Sequence, residues 1–388
     1  MSPMYRGRTL EGRWVEVAVE DTRIAAVTEI SPADVPLIAP PLVDLQQNGA
    51  LGMAFNDLAG RGETLGRIAA FVRRHGTGRM LATFTTADFD SQCESLRELD
   101  RCLTAEADLA RLFAGVFYEG NYMSREPGWR GIHPPQFMRD PSWSDWLRLQ
   151  QAAGGRIKVF NVDPMLPGAI ETIRQAVANG VRVSMGHCGP TAEAIRRAAD
   201  AGADMVTHFG NGVAPIIHRH HNPLWAFLAD DRLSVGLILD GFHLPEELIR
   251  VVFKAKGAER IYPVSDASSA SGMPPGDYGR FVIEPNGCCH QKDEEGLAGN
   301  WFQADRCVER LCEMGWSLAD AWRQQSEIPA RLFKIPLPAL APGQDAEFVL
   351  SRFTPKGGLQ IEQVVSMGRE LLKSPVGTRT VAFGAEEE

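Results

Sequence analysis

The stretch from Gly186 to Pro215 constrains this chain most. Val181-Arg-Val-Ser-Met185 reads as a short buried strand and runs into Gly186-His187. Thr191–Ala201 carries apolar residues at helical spacing (Ala194, Ile195, Ala198, Ala201), and Gly202 follows as a C-cap. Met205-Val-Thr207 is a second buried strand, ending in His208. One strand–helix–strand unit therefore sets two imidazoles, 21 positions apart (208 − 187), at the carboxyl ends of neighbouring parallel strands. Parallel α/β folds assemble their chemistry at those ends. A lone histidine at a strand end is commonly a packed or surface residue. Two in register, each beside a glycine or a polar turn, point to a site.

The same rhythm extends in both directions. Candidate strands are 42–47, 80–86, 112–119, 157–162, 181–187, 205–208, 233–240 and 261–266. Helical patterns lie between them at 64–75, 94–105, 143–153, 169–178, 191–201 and 245–256. Eight strands with helical crossovers in roughly 250 residues predict a (β/α)8 TIM-type barrel. A Gly/Pro-rich loop and two helical runs, 303–313 and 318–333, follow the eighth strand. Residues before 40 and after 340 return to β-like pieces, such as the alternating Trp14-Val-Glu-Val-Ala-Val-Glu20. The expected organisation is a barrel over 41–339 and a small β-sandwich domain from 1–40 and 340–388.

Composition narrows the function. Forty basic against 49 acidic residues give a net charge of −9 with no Lys/Arg block, which argues against a nucleic-acid or acidic-membrane partner. An anionic small substrate stays open, because a few local cations suffice. The sequence has neither a run of about 18 apolar residues nor a leader pattern, so a cytoplasmic protein is expected. The seven cysteines form no C-x2-C pair, and an odd total fits reduced thiols. Cys288-Cys289, in a turn-like segment, has no role in this reading.

On a barrel, the polar residues at strand ends share one rim. These are Gln46 and Asn48, Glu119, His187, His208, His243 and Asp266. One carboxylate with two imidazoles, and a further carboxylate nearby, is a mixed N/O set suited to Zn2+ or Fe2+ with a position left for water.

The residues at this rim resemble the N-acetylglucosamine-6-phosphate deacetylase family of the amidohydrolase superfamily. The likeness rests on Pro41-Leu-Val-Asp-Leu-Gln-Gln-Asn-Gly49, Tyr118-Glu-Gly120, Gly186-His187 with Thr207-His208-Phe-Gly-Asn211, Ile238-Leu-Asp-Gly-Phe-His243, Val264-Ser-Asp-Ala267 and Gly296-Leu-Ala-Gly299. Their order and spacing span about residues 40 to 335. The resemblance implies that Glu119, His187 and His208 hold one divalent metal, zinc first and iron or cobalt as other candidates. Asp266 would be the general base and His133 would polarise the acetyl carbonyl. Asn211, Gly212, Arg219 and His243 would hold the sugar phosphate, and Leu297, Ala298 and Gly299 would line the sugar. In this family the arginine can come from a neighbouring subunit, so a homodimer is implied, with Arg219 acting in its own or the partner's site.

The chemistry needs these residue types. Amide hydrolysis at neutral pH requires a nucleophile better than free water, donors for a tetrahedral oxyanion, and a proton for the departing nitrogen. The cluster His218-Arg-His-His221 could meet a phosphate dianion. Many amidohydrolases bind two metals through a His-x-His on the first strand. Gln46 and Asn48 stand there, so a mononuclear site is expected, and Lys158 lies too early on strand four to bridge metals. The chain departs from the family at Asn300-Trp-Phe-Gln-Ala304 and at Asn161-Val-Asp-Pro164, on the substrate side of the site. The alternative activity is that of another mononuclear amidohydrolase, a deaminase or N-acyl amino acid hydrolase acting on an unphosphorylated substrate.

Overall fold

The computed structural model describes residues 3–292 and 296–373. Eight parallel strands follow one another around a barrel: Leu42–Gln47, Thr77–Phe84, Phe113–Tyr118, Ile157–Asn161, Arg182–Met185, Met205–Val206, Ser234–Ile238 and Ile261–Val264. The first and eighth strands meet at the carboxyl rim, where Asp266 N donates to Gln46 O at 2.9 Å and Asn48 N to Ala267 O at 2.7 Å. Barrel strands are buried on both faces, which is why they read as near-continuous apolar runs.

Alternation decides which face each residue takes. Leu81, Phe117, Val159 and Val264 pack together inside the barrel, while Met80, Val116 and Phe160 pack outward against the helices. The inward phase continues past the strand ends. Glu119 stands two residues after Phe117, Asn161 two after Val159 and Asp266 two after Val264, so sequence parity directs all three toward the axis.

The second unit is a seven-stranded sheet that interleaves both ends of the described chain. Its order is Arg369–Lys373, Gly358–Ser366, Phe348–Thr354, Leu37–Ala39, Met4–Arg8, Trp14–Glu20 and Arg23–Glu29. The alternation expected at Trp14–Glu20 is present, with Val15, Val17 and Val19 buried. The acidic end, Glu386–Glu388, lies outside the described residues.

Three features depart from the sequence reading. The run 318–333 is two helices, Leu318–Gln325 and Glu327–Phe333, because Ser326 leaves helical geometry (φ −125°, ψ −78°) and its hydroxyl donates to Pro41 O at 2.7 Å. Helix Pro223–Ala229, capped by Asn222, follows the histidine-rich loop, where no helix was expected. The Gly/Pro-rich loop after the eighth strand contains a three-stranded sheet, Gly276–Asp277, Phe281–Ile283 and Cys289–Gln291. Cys289 is buried there with its Sγ 3.7 Å from Ala298 O, and all seven cysteines are free thiols.

Candidate metal centre at the carboxyl rim

Glu119, His187 and His208 converge. His187 Nε2 lies 3.1 Å from Glu119 Oε1, His208 Nε2 lies 3.0 Å from the same oxygen, and the two Nε2 atoms are 3.0 Å apart. All three side chains are buried. His187 Nδ1 lies 3.2 Å from the carbonyl of Trp129, an acceptor that would keep a proton on Nδ1 and free Nε2 when a cation is bound. Two imidazole nitrogens and a carboxylate oxygen facing one another at such distances fit a divalent cation.

The backbone is bent to achieve this. His187, His208 and Asp266 have φ of 54°, 26° and 49°, which places them among the few non-glycine residues in the left-handed region. The turns at His187 and His208 swing those side chains out of the strand phase, whereas Asp266 keeps the inward phase of Val264, and such strain collects at functional sites. Gly212 (φ 60°) packs on the His187 ring, and a Cβ there would sit 2.6 Å from Nδ1. It therefore supports the His187 ring directly.

Burial would raise the Glu119 carboxyl, but hydrogen bonds from His187 and His208 outweigh it and hold the group well below the usual carboxylate range. Asp266 is pushed the other way, by burial and then by the charge of Glu119. Its Oδ1 accepts from Asn48 Nδ2 at 2.8 Å and Gln46 Nε2 at 3.1 Å. The two amides at the His-x-His positions thus hold the carboxylate to which the resemblance gives the role of base.

His133 joins from the long loop after the third strand. Its ligand atom lies within 4.8 Å of those of Glu119 and His187, and its ring centroid is 4.3 Å from that of His187. Burial, and next the His187 charge, pull its pKa down to about 3, so the ring is neutral. Its Nδ1 is 2.9 Å from the Thr86 hydroxyl, which is 2.5 Å from Gly120 O. Rotation of that one hydroxyl decides which His133 nitrogen bears the proton. Thr86 escaped the sequence reading because a threonine beyond a strand end carries no distinctive spacing.

The remaining residues separate into two groups. His243 is fixed by Asp240, whose Oδ2 lies 2.6 Å from Nδ1 while Oδ1 accepts two backbone N–H groups. Asn211 keeps a buried Nδ2 with no partner among the described residues. Residues 297–299 run beside Asp266, since Asn300 N donates to Asp266 O and Ser268 N to Asn300 O. Leu297 bridges to His290, Ala298 N donates to Cys289 O at 2.9 Å, and a Cβ on Gly299 would meet Ser268 at 2.7 Å. Arg219, by contrast, stands on the exposed loop 218–221, outside the buried cluster. Lys158 is exposed near the opposite end of its strand.

Asn161 was read only as a departure from the family pattern. Its Nδ2 donates to Glu119 O and Gly186 O, both at 3.3 Å, and its Oδ1 accepts from Thr207 Oγ1 at 2.9 Å. One buried amide therefore ties together the backbones that carry all three convergent side chains. A polar residue at the end of a buried strand was the available signal.

Fold and rim together define a barrel hydrolase of the amidohydrolase type. Among solved structures, N-acetyl-D-glucosamine-6-phosphate deacetylase from Mycobacterium smegmatis superposes with a TM-score of 0.81 at 28% identity, over 93% of this chain and 96% of that one. An enamidase of the amidohydrolase superfamily shares the fold, with a TM-score of 0.57 at 15% identity over 100% of this chain and 99% of that one. No family model matches the sequence. The chain is 30% identical over 385 residues, 95% of its length and 99% of the relative's, to N-acetylgalactosamine-6-phosphate deacetylase from Escherichia coli O157:H7. It is 26% identical over 318 residues, 81% of each chain, to N-acetylglucosamine-6-phosphate deacetylase from Lysinibacillus sphaericus. The chain belongs to the N-acetylglucosamine-6-phosphate deacetylase family, within which these galactosamine and glucosamine enzymes fall.

Proposed function

We propose that this enzyme hydrolyses the acetamide of an N-acetylhexosamine 6-phosphate, foremost N-acetylglucosamine 6-phosphate, to acetate and the amino-sugar phosphate. The observation that carries this reading is the convergence of Glu119, His187 and His208 at 3.0–3.1 Å with Asp266 on the same rim. One divalent cation, zinc in the first instance, would be held by those three side chains. Bound there, it would supply Lewis acidity, bringing a water's pKa from about 16 toward 7 and drawing charge from the acetyl oxygen.

The chain's own groups do the rest. Asp266 has Oδ1 occupied by the two amides, which leaves Oδ2 to take the water proton and return it to the departing nitrogen. His133 polarises the acetyl carbonyl by donating from Nε2 to the developing oxyanion, which requires the Thr86 hydroxyl to leave Gly120 O, to which it donates at 2.5 Å, and turn to His133 Nδ1. Asn211, Gly212, His243 and Arg219 take the sugar phosphate, and Leu297, Ala298 and Gly299 line the sugar. Asp240 keeps His243 oriented, its Oδ2 lying 2.6 Å from Nδ1.

The assembly is a homodimer in this reading, in the cytoplasm. Ile216, 90% exposed, and Trp225, 54% exposed, flank the loop that carries Arg219 and support its being covered by a second copy. Comparing N-acetylglucosamine 6-phosphate with unphosphorylated N-acetylglucosamine tests the assignment. A strong preference for the phosphorylated sugar is expected; equal rates would favour a different amidohydrolase substrate.

A further inference from the structure

At the opposite end of the barrel lies a cavity of about 710 Å3. Its wall comes from the starts of strands two to five, through Arg79, Ala114, Lys158 and Arg182, and from Phe333–Pro336 after the last helix. Glu119, His187 and His208 follow the carboxyl ends of strands three, five and six, at the opposite rim, so the two sites are separate. Five of the lining residues are cations and no carboxylate lines the cavity among the described residues, in a chain whose net charge is −9.

Three of the cations are already neutralised from behind. Arg79 pairs with Glu347 at 2.7 Å, Arg111 with Asp345 at 3.0 Å and Arg182 with Asp204 at 2.8 Å. The side chains of Lys158 and Lys334 have neither an ion-pair nor a hydrogen-bond partner among the described residues. Both residues are exposed, but the stem of the one and the backbone of the other are constrained. Lys158 Cγ occupies the room left by Gly115, where a Cβ would come within 2.5 Å of it, although Gly115 has no left-handed φ that would itself call for glycine. Lys334 takes the left-handed conformation (φ 52°) at the end of its helix, a position usually given to glycine or asparagine.

We propose that this cavity is a second ligand site, built for a small phosphate monoester. Two uncompensated ammonium groups match the charge of the dianion, and lysine binds phosphate as a compact point charge. Leu81, Ala114, Phe333 and Ile335 give the organic part an apolar wall. The lining residues include no hydroxyl or thiol nucleophile and no carboxylate or imidazole to move a proton or to deprotonate the lysines, so the site binds and does not react. It stands apart from the deacetylase reading.

The test is calorimetric titration of the metal-loaded enzyme with phenyl phosphate, beside the double variant Lys158→Met/Lys334→Met. The wild type is expected to bind one more equivalent per chain than the variant, or to bind that equivalent roughly tenfold or more tightly. The variant's kcat and KM on the acetylated sugar phosphate should be unchanged. Should the double variant fail to fold, Lys334→Glu, at an exposed position, carries the same comparison. Identical isotherms for wild type and variant would overturn the proposal, whatever the active site binds. A wild type with one site and a variant with none would uphold it even if phosphate recognition at the active site proved wrong.

Discussion

Asn48 Nδ2 donates to Asp266 Oδ1 at 2.8 Å, across the seam where the first and eighth barrel strands meet. An amide stands where many amidohydrolases place a metal-binding histidine, and it supports the base instead. Such a hydrogen bond favours the ionised carboxylate. Replacing Asn48 by Leu should therefore raise the Asp266 pKa. The acid limb of the kcat/KM profile should move to higher pH, and kcat should fall on the order of tenfold, with metal content unchanged. A profile that does not move would show that Asn48 merely packs.

Asn161 is predicted to act through the residues it ties together. Asn161→Ala removes the shared amide donor from the Glu119 and Gly186 carbonyls and one of two partners from the buried Thr207 hydroxyl, which keeps Ser184 Oγ at 2.6 Å. The expected cost is about 2 kcal/mol of stability, with metal affinity weakened roughly tenfold. Chemical denaturation of the metal-free protein and a metal-binding titration read the two separately. Loss of stability with unaltered affinity would reduce Asn161 to a structural residue.

The parity that set Glu119, Asn161 and Asp266 toward the axis was readable from the sequence, because period-two alternation continues beyond strand ends. The imidazoles were readable for a different reason: each follows a strand directly and precedes a turn. What escaped was non-local. Thr86 matters only because the loop after the third strand folds His133 over it, and the break at Ser326 depends on a carbonyl 285 positions away. The strands between Gly276 and Gln291 sit among glycines and prolines that mask a weak β signal. Arg219 was assigned through the resemblance, and its exposed loop supplies no local reason for the role.

Asp163 offers a pH test of the departure at the end of strand four. It is buried with Met165 N as a donor at 2.8 Å, and burial pushes its pKa up to about 6. A carboxyl whose folded pKa exceeds its unfolded value of about 3.9 contributes stability in full below the lower value. That contribution is lost as pH rises through the folded pKa. Between pH 4 and about 7 the wild type should lose roughly 2–3 kcal/mol relative to Asp163→Asn. Unfolding free energies of the two proteins, compared across that range, check the sign. A constant difference would mean that Asp163 titrates normally.

The central claim is that Asp266 moves the proton beside a cation held by Glu119, His187 and His208. It is tested most directly by acetate release from N-acetylglucosamine 6-phosphate by wild type and Asp266→Asn, each with its metal content measured. The account predicts equal metal and equal thermal stability in the two proteins, with turnover lowered on the order of a thousandfold or more in the variant. A metal-replete, folded Asp266→Asn protein that releases acetate at near wild-type rate would contradict it.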